Sequence, residues 1–436
     1  MKNINFNIKT FFLLLFTILT WEQLMAQVHA PAPAQTQAIA IVGGRAHLGT
    51  GEVIENAFIA FEAGKITEVS QNNKKRDLGN YQVINAKGQE IYPGFIAVNT
   101  NIGLVEIGAI RATRDFREVG SLNPNVRALI AYNTDSEIIP TVKAMGVLLA
   151  QVTPEGGRIS GSSSVVSLDA WNWEDAVIKA DDGIHLNWPG TTRFNWHTRT
   201  ISANKNYDKQ LSGIYTFFEE AAAYNKKTAI GEKNLRFEAM KPLFNQTANL
   251  YIHANDARSI TQGVALAEKY GVRPVIVGGD ESWMITDFLK EHQVSVILNK
   301  QHRLPGSTDS DIDQPFKTPI MLHDAGITFC LSLNGGWSSW QARNLPFQAG
   351  QAVAYGLDYE AAVQSISLNT AKILGIDQQL GSIEVGKDAT LFISKGDVLD
   401  MRTSEVTKAF IQGRDIDLSN RQKQLYEKFK MKYDQR

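Results

Sequence analysis

The sequence is short of three things. It has one cysteine in 436 residues, no block of like charge beyond short runs such as "NKKR" and "KQLYEKFKMKYDQR", and a single sustained apolar run. One cysteine excludes an internal disulfide, and the surroundings of Cys330, "GITFCLSL", read as a strand interior. The 44 basic and 45 acidic residues nearly cancel, which leaves no electrostatic footprint for nucleic acid. The apolar run, "FFLLLFTIL", is too short to span a bilayer comfortably, and Trp21, Glu22 and Gln23 keep it from extending further.

What is present at the N-terminus has the order of an export signal. Lys2 and Lys9 precede the run and "LMAQ" offers a small residue for cleavage after Ala26. An uncleaved anchor is the alternative, while a lipoprotein signal would need a cysteine that the sequence does not supply. The mature protein is expected to be exported, periplasmic or extracellular, with no membrane span after cleavage of residues 1–26. Residues 27–37, with "VHAPAPAQTQ", read as a disordered lead-in.

The rest of the chain changes rhythm twice. From residue 38 to 88, "AIAIVGG", "NAFIAFEAGKITEVSQ" and "YQVINAKGQE" are short strands around turns, and "LGSIEVGKDATLFISKGD" and "EVTKAFIQGRDI", within 376–415, share that character. Between them, over 89–375, β-branched runs alternate with helical stretches: "NLYIHAN" before "DARSITQGVALAEKYG", "RPVIVGG" before "ESWMITDFLKEHQ", "GITFCLSL" before "LPFQAGQAVAYG". That alternation predicts parallel βα units in a closed barrel. The expected fold is α/β: a TIM-like (β/α)8 barrel, a composite β-sandwich domain built from both chain ends, and a C-terminal helix over 416–436.

These features, with "YPGFIAVNTNIGL", "LYIHANDARSI", "VIVGGDESW", "LNTAKILGID" and "LGSIEVGKDATL" in order, resemble the amidohydrolase superfamily, in particular its imidazolonepropionase-related branch. The resemblance runs from about residue 38 to 413. It implies a hydrolase of carbon–nitrogen bonds, non-peptide or dipeptide-like amides, with a divalent metal at the barrel mouth. In that family "PGFIDxHxH" ends the first barrel strand, and residues two apart on a strand point the same way, so both imidazoles reach one ion.

Here those positions hold Asn99 and Asn101. The fifth-strand histidine is matched by His253, Gly278 and Gly279 stand where the sixth-strand histidine should fall, and Asn334 aligns with the eighth-strand aspartate that binds metal and takes a proton from water. An amide offers only a neutral carbonyl oxygen, a poor ligand for zinc, and cannot act as a general base. No resident cofactor is therefore expected, with zinc or another divalent ion only if an atypical site holds one. His253, His185 and Asp256 are such an alternative set, although Asp256 falls where a helix N-cap belongs. Glu155 in "VTPEGG" is expected to face solvent.

Further candidates line the expected mouth. "TPEGGRISGSSSVVSLDAWNWED" reads as a Gly- and Ser-rich loop in which Arg158 and Ser160 could hold a carboxylate or carbonyl, or simply pack. His185 and His302 belong to segments that the family places around the mouth, Trp171 and Trp173 stand beside the long loop, and Trp337 and Trp340 are pocket-lining or packing residues. His197, His292 and His323 read as surface or packing histidines. The expected function is an impaired or inactive amidohydrolase binding a small amide-like or peptide-like ligand, with His253 and Asn334 as the remaining catalytic candidates. An active hydrolase with an atypical site competes with it, as does a non-catalytic partner, homo-oligomeric or paired with a catalytically complete relative.

Overall fold

The computed structural model describes residues 30–195, 197–227, 231–307, 309–333 and 338–435. Residues 1–26, read above as an export signal, together with Asn334 and Trp337 lie outside the described residues.

The described part of the chain begins against Asp169 and Arg414. Residues 30–37 are held there: the Ala32 N–H donates to Asp169 Oδ2 at 3.0 Å, Arg414 Nη1 donates to the Ala32 carbonyl at 3.1 Å, and Gln35 Oε1 accepts from the Gly64 N–H at 2.9 Å. The expectation of a disordered lead-in thus does not describe residues 30–37. Sequence composition could not show that Asp169 and Arg414 wait for this segment.

Two sheets come next. One has the order Lys65–Gln71, Ala57–Glu62, Ala38–Val42, Tyr81–Asn85. Its hairpin closes through Ala63 and Gly64, both at positive φ (49° and 80°), the geometry that matches strand twist in a two-residue turn. The second sheet joins the two ends of the chain, because Glu90–Pro93 pairs antiparallel with Leu391–Ser394 and parallel with Arg45–His47. Ile39, Ile41, Ile59, Phe61, Ile91, Leu391 and Phe410 fill the space between the sheets. Phe392 instead faces the barrel, with its ring 5.0 Å from that of Phe95 and 5.5 Å from that of Tyr92.

The barrel is TIM-like, with eight strands in sequence order: Phe95–Thr100, Val147–Val152, Ile159–Ser167, Val177–Asn187, Asn249–Ala254, Pro274–Gly278, Ser295–Leu298 and Phe329–Leu331. The third strand runs antiparallel to both neighbours, which departs from the all-parallel (β/α)8 expectation. Between the eighth and first strands the Ile96 N–H donates to the Ile366 carbonyl at 3.0 Å, so the segment before helix Leu368–Leu374 bridges the seam. Ile96, Val98, Tyr251, Val277, Ile297 and Cys330 pack inside with Ile373 and Leu374 from that helix.

The antiparallel strand corrects the reading of "ISGSSSVVS" as loop. All nine residues are buried strand. The serines tolerate burial because their hydroxyls find acceptors: Ser162 donates to Asp181 Oδ1 at 2.9 Å and Ser163 to Asp182 Oδ1 at 2.7 Å. Reversal also carries Trp171 and Trp173 to the end opposite the mouth, where Asp169 is tied to Lys143 and Arg414. They do not line the working face.

Among the described residues no helix is long and apolar enough to cross a membrane. The C-terminal helix Arg421–Asp434 has no buried residue.

Candidate functional site

The mouth lies at the ends of seven strands and the start of the third. At its centre the fourth and fifth strands run parallel with Asn187 opposite His253 and His185 opposite Tyr251. His185 Nδ1 and His253 Nε2 are hydrogen-bonded at 2.8 Å, and the His185 ring stacks on Tyr251 with centroids 4.7 Å apart. Burial pushes the His253 pKa down to about 4. It pushes that of His185 well below the ordinary value, and the neighbouring His253 adds to the effect. Both rings are therefore neutral at neutral pH, sharing one proton position between them.

Below the pair lies a buried carboxylate. Asp182 accepts from the Tyr251 hydroxyl (2.5 Å), the Ser163 hydroxyl (2.7 Å) and Gln151 Nε2 (2.8 Å). Burial raises its pKa against those three donors. Gln151 Oε1 in turn accepts from the Asn99 N–H at 3.0 Å. One chain of contacts thus links Asn99 to Gln151, Asp182, Tyr251 and the His185–His253 pair.

Asn99 has a backbone role that sequence reading missed. Its φ is 52°, and the pairing with the second strand slips between Ala97 and Thr100, so Asn99 forms a bulge. Asparagine is among the few non-glycine residues that tolerate the left-handed region. Its Nδ2 is buried without a hydrogen-bond partner among the described residues, as are His185 Nε2 and Thr153 Oγ1. Asn101 turns away instead: Nδ2 donates to the Thr153 carbonyl at 3.1 Å, and its side chain bonds Glu155. Glu155 is half-buried with a raised pKa, against the expectation of a solvent-facing side chain.

The sixth-strand position is closed by geometry. Gly278 has φ 111°, and a Cβ there would lie 2.2 Å from Asn255 Oδ1. Asn255 fills the space where a ligand side chain would project, and Asn299 Nδ2 donates to its Oδ1 at 3.0 Å. Asn299 also donates to Asp280, which Arg303 pairs. The dipeptides "AN" at 254–255 and "LN" at 298–299, each at a strand end, were the available signals for this polar arc.

The other expected residues separate into two groups. Arg158 donates through Nη1 to the Asn187 carbonyl, and Asn187 Nδ2 donates to Ser160 Oγ at 2.9 Å, which places all three beside His253. Ser160 also donates to the Gly156 carbonyl at 2.7 Å, so its hydroxyl braces the turn rather than standing free for a ligand. His302 turns to helix Leu345–Ala354, where Gln348 and Gln351 engage its ring nitrogens. Trp340 is 41% exposed with Arg343 over its ring. Asp256 is the N-cap of helix Ala257–Lys269, accepting from Ser259 N–H at 2.9 Å, which removes it from any ligand set with the histidines.

A resident zinc can be tested against this donor set. Zinc takes imidazole, thiolate or carboxylate ligands in threes and fours. Among the described residues no three His, Cys, Asp or Glu side chains converge. The two histidines present bind each other, and the first-strand positions offer amides. The described residues thus present two mutually bonded imidazoles and two amides, not the usual zinc set.

Comparison with known proteins sets this geometry in context. The model of the amidohydrolase family matches residues 316–416. An adenine deaminase of Clostridium botulinum (strain ATCC 19397 / Type A) is 22% identical over 384 residues, covering 84% of this chain and 54% of that protein. The chain thus spans about half the length of the curated relatives it matches. An amidohydrolase of Thermotoga maritima MSB8 superposes with a TM-score of 0.77 at 23% identity, covering 87% of this chain and 99% of its own. A prolidase solved with N-methylphosphonate-L-proline superposes with a TM-score of 0.53 at 16% identity, over 87% and 99%. These superpositions establish the fold as that of amidohydrolases.

Proposed function

We propose that this protein of the amidohydrolase superfamily is exported and binds a small amide-like or peptide-like ligand at the barrel mouth, without a catalytic metal and with carbon–nitrogen hydrolysis impaired or absent. The observation that carries the reading is the 2.8 Å bond between His185 and His253. It occupies the Nε2 of the one histidine that matches a family ligand.

The remaining groups suit recognition better than bond cleavage. A general base works best with a pKa near the operating pH, and His253 at about 4 is a weak proton acceptor there. Asp182 is saturated by three donors. Asn99 Nδ2, His185 Nε2 and Thr153 Oγ1 are neutral and unpartnered among the described residues. Leaving such a group unpaired costs about 1–3 kcal/mol, so a ligand that supplies partners is favoured by that amount at each. Neutral donors and acceptors in a buried site match an amide rather than an ion.

The test is the metal content of the mature protein made with zinc, manganese and iron available. Plasma mass spectrometry is expected to find far less than one ion per chain. Near-stoichiometric metal that disappears in His253→Ala would overturn the reading and direct attention to hydrolysis of cyclic amides and dipeptides.

A second reading, a non-catalytic partner of a catalytically complete relative, is favoured by helix Arg421–Asp434. Leu425, Tyr426 and Phe429 stand 41%, 65% and 50% exposed on it, near one another on one face. Co-purification with such a relative that is lost when residues 421–436 are deleted would support this alternative.

A further inference from the structure

The segment after the first barrel strand places a cluster of arginines beside the mouth. Arg111, Arg114 and Arg117 line one cavity of about 660 Å³ together with Phe116, Glu118 and Glu155. Among the described residues Arg111 and Arg114 have no ion pair. Arg117 has Glu155 as its acidic neighbour, and that carboxyl is already bonded to Asn101. Glu118 accepts from the adjacent Val119 N–H. Two elements close the cavity against the barrel: the Glu155 N–H donates to the Phe116 carbonyl at 2.7 Å, and the Arg158 N–H donates to the Ser121 carbonyl at 2.6 Å.

The turn between Glu155 and Arg158 is shaped for these side chains. A Cβ on Gly156 would lie 2.9 Å from Arg117 Nε, so the bare backbone lets that guanidinium lie against the turn. Two residues later Arg158 stands near Arg193, and burial together with that second cation lowers its pKa. Neither has an acidic partner among the described residues. Five arginines therefore gather around one turn in a chain whose net charge is −1. General basicity cannot account for them.

Guanidinium groups clustered around a cavity repel one another unless an anion enters, and their planar forks match carboxylate or phosphate oxygens. We propose that the cavity of Arg111, Arg114 and Arg117 holds the anionic end, a carboxylate or a phosphate, of the molecule whose neutral part enters the mouth beyond Asn101. This rests on the barrel mouth being a ligand site, and it narrows the ligand from amide-like to anionic.

The experiment is calorimetric titration of the full mature protein, of measured metal content, with inorganic phosphate and separately with succinate. Saturable binding of at least one probe is expected, with the tighter one identifying the anion class. Arg114→Gln with Arg117→Gln should weaken it at least about tenfold, since hydrogen bonds to charged groups are each worth on the order of that factor or more. Arg402→Gln, which alters an arginine paired with Asp400 elsewhere, should leave it unchanged. If circular dichroism shows the double variant misfolded, Arg111→Gln probes the same cavity. No saturable binding of either probe, or equal binding by wild type and cavity variants, overturns the inference. Stoichiometric metal in the same sample overturns the metal-free reading instead, so the two failures are distinguishable.

Discussion

His185 and His253 face each other across adjacent parallel strands with their ring nitrogens 2.8 Å apart, and burial keeps both uncharged. A protein that needed these rings for an ion would hold both lone pairs toward a common point. Here one ring donates to the other, and Tyr251 stacked beneath His185 fixes the orientation. Protonation of either ring places a charge in a buried setting, and the carboxylate of Asp182 is already engaged by Tyr251.

The acid side of the stability profile should report this pair. An unfolded histidine takes up its proton near pH 6.5, whereas folded His253 resists until about 4. Between those values the unfolded state binds more protons, so stability falls as pH falls through that window and is fully present above it. The expected loss is on the order of 2–3 kcal/mol from pH 7 to pH 4. Urea denaturation across that range checks it. His253→Gln should flatten the slope, and an unchanged slope would contradict the neutral pair.

His47 should act in the opposite direction. It is buried in the second sheet with Nδ1 2.6 Å from Glu360 and Nε2 3.1 Å from Glu90, its ring stacked on Tyr92 at 4.4 Å. Burial opposes its charge, but the two carboxylates outweigh burial and raise its pKa. Its stabilisation is therefore complete below about pH 6.5 and is lost as pH rises through the raised value. At pH 6, His47→Gln should cost about 2 kcal/mol or more, because it leaves two carboxylates without their cation. The cost should shrink on the alkaline side, as thermal melting of both proteins across pH would show.

Gly278 and Asn255 should be energetically coupled. Gly278→Ala imposes a side chain at φ 111° and drives its Cβ to 2.2 Å from Asn255 Oδ1. A cost of about 2 kcal/mol or more is expected. In an Asn255→Ala background the clash is gone and the backbone strain alone remains, so the double-mutant cycle should return a coupling of about 1 kcal/mol. Additive losses would show that Asn255 does not occupy the position of the absent sixth-strand ligand.

The barrel and the joined chain ends were legible because periodicity reports which face is buried, and "RPVIVGG" or "ATLFIS" has one dominant reading. The third strand was not, since "ISGSSSVVS" has the composition of a loop. Only the acceptors at Asp181 and Asp182, distant until the chain folds, make its hydroxyls compatible with burial. At the mouth, motif positions drew attention to Asn99, Asn101 and His253, and the N-cap role of Asp256 followed from its place before a helix. The His185–His253 bond and the Asn255 intrusion depend on strand register, which one sequence does not display. His47 passed unnoticed because its partners lie 43 and 313 residues away.

Asn99 combines a backbone role and a chemical one, and substitutions can separate them. Asn99→Ala keeps the main-chain bond to Gln151 but places alanine at φ 52°, which should cost about 1 kcal/mol. Asn99→Gly meets the same dihedral without that penalty and should stay within about 0.5 kcal/mol of wild type. Both lose the Nδ2, which has no partner among the described residues. If that amide recognises the ligand, binding of cyclic amides and dipeptides in equilibrium dialysis should fall about equally in the two variants, by on the order of fivefold or more, while their stabilities differ. Binding that follows stability, lost with alanine and kept with glycine, would mean that Asn99 serves the bulge alone and that recognition at the mouth begins with His185 and Thr153.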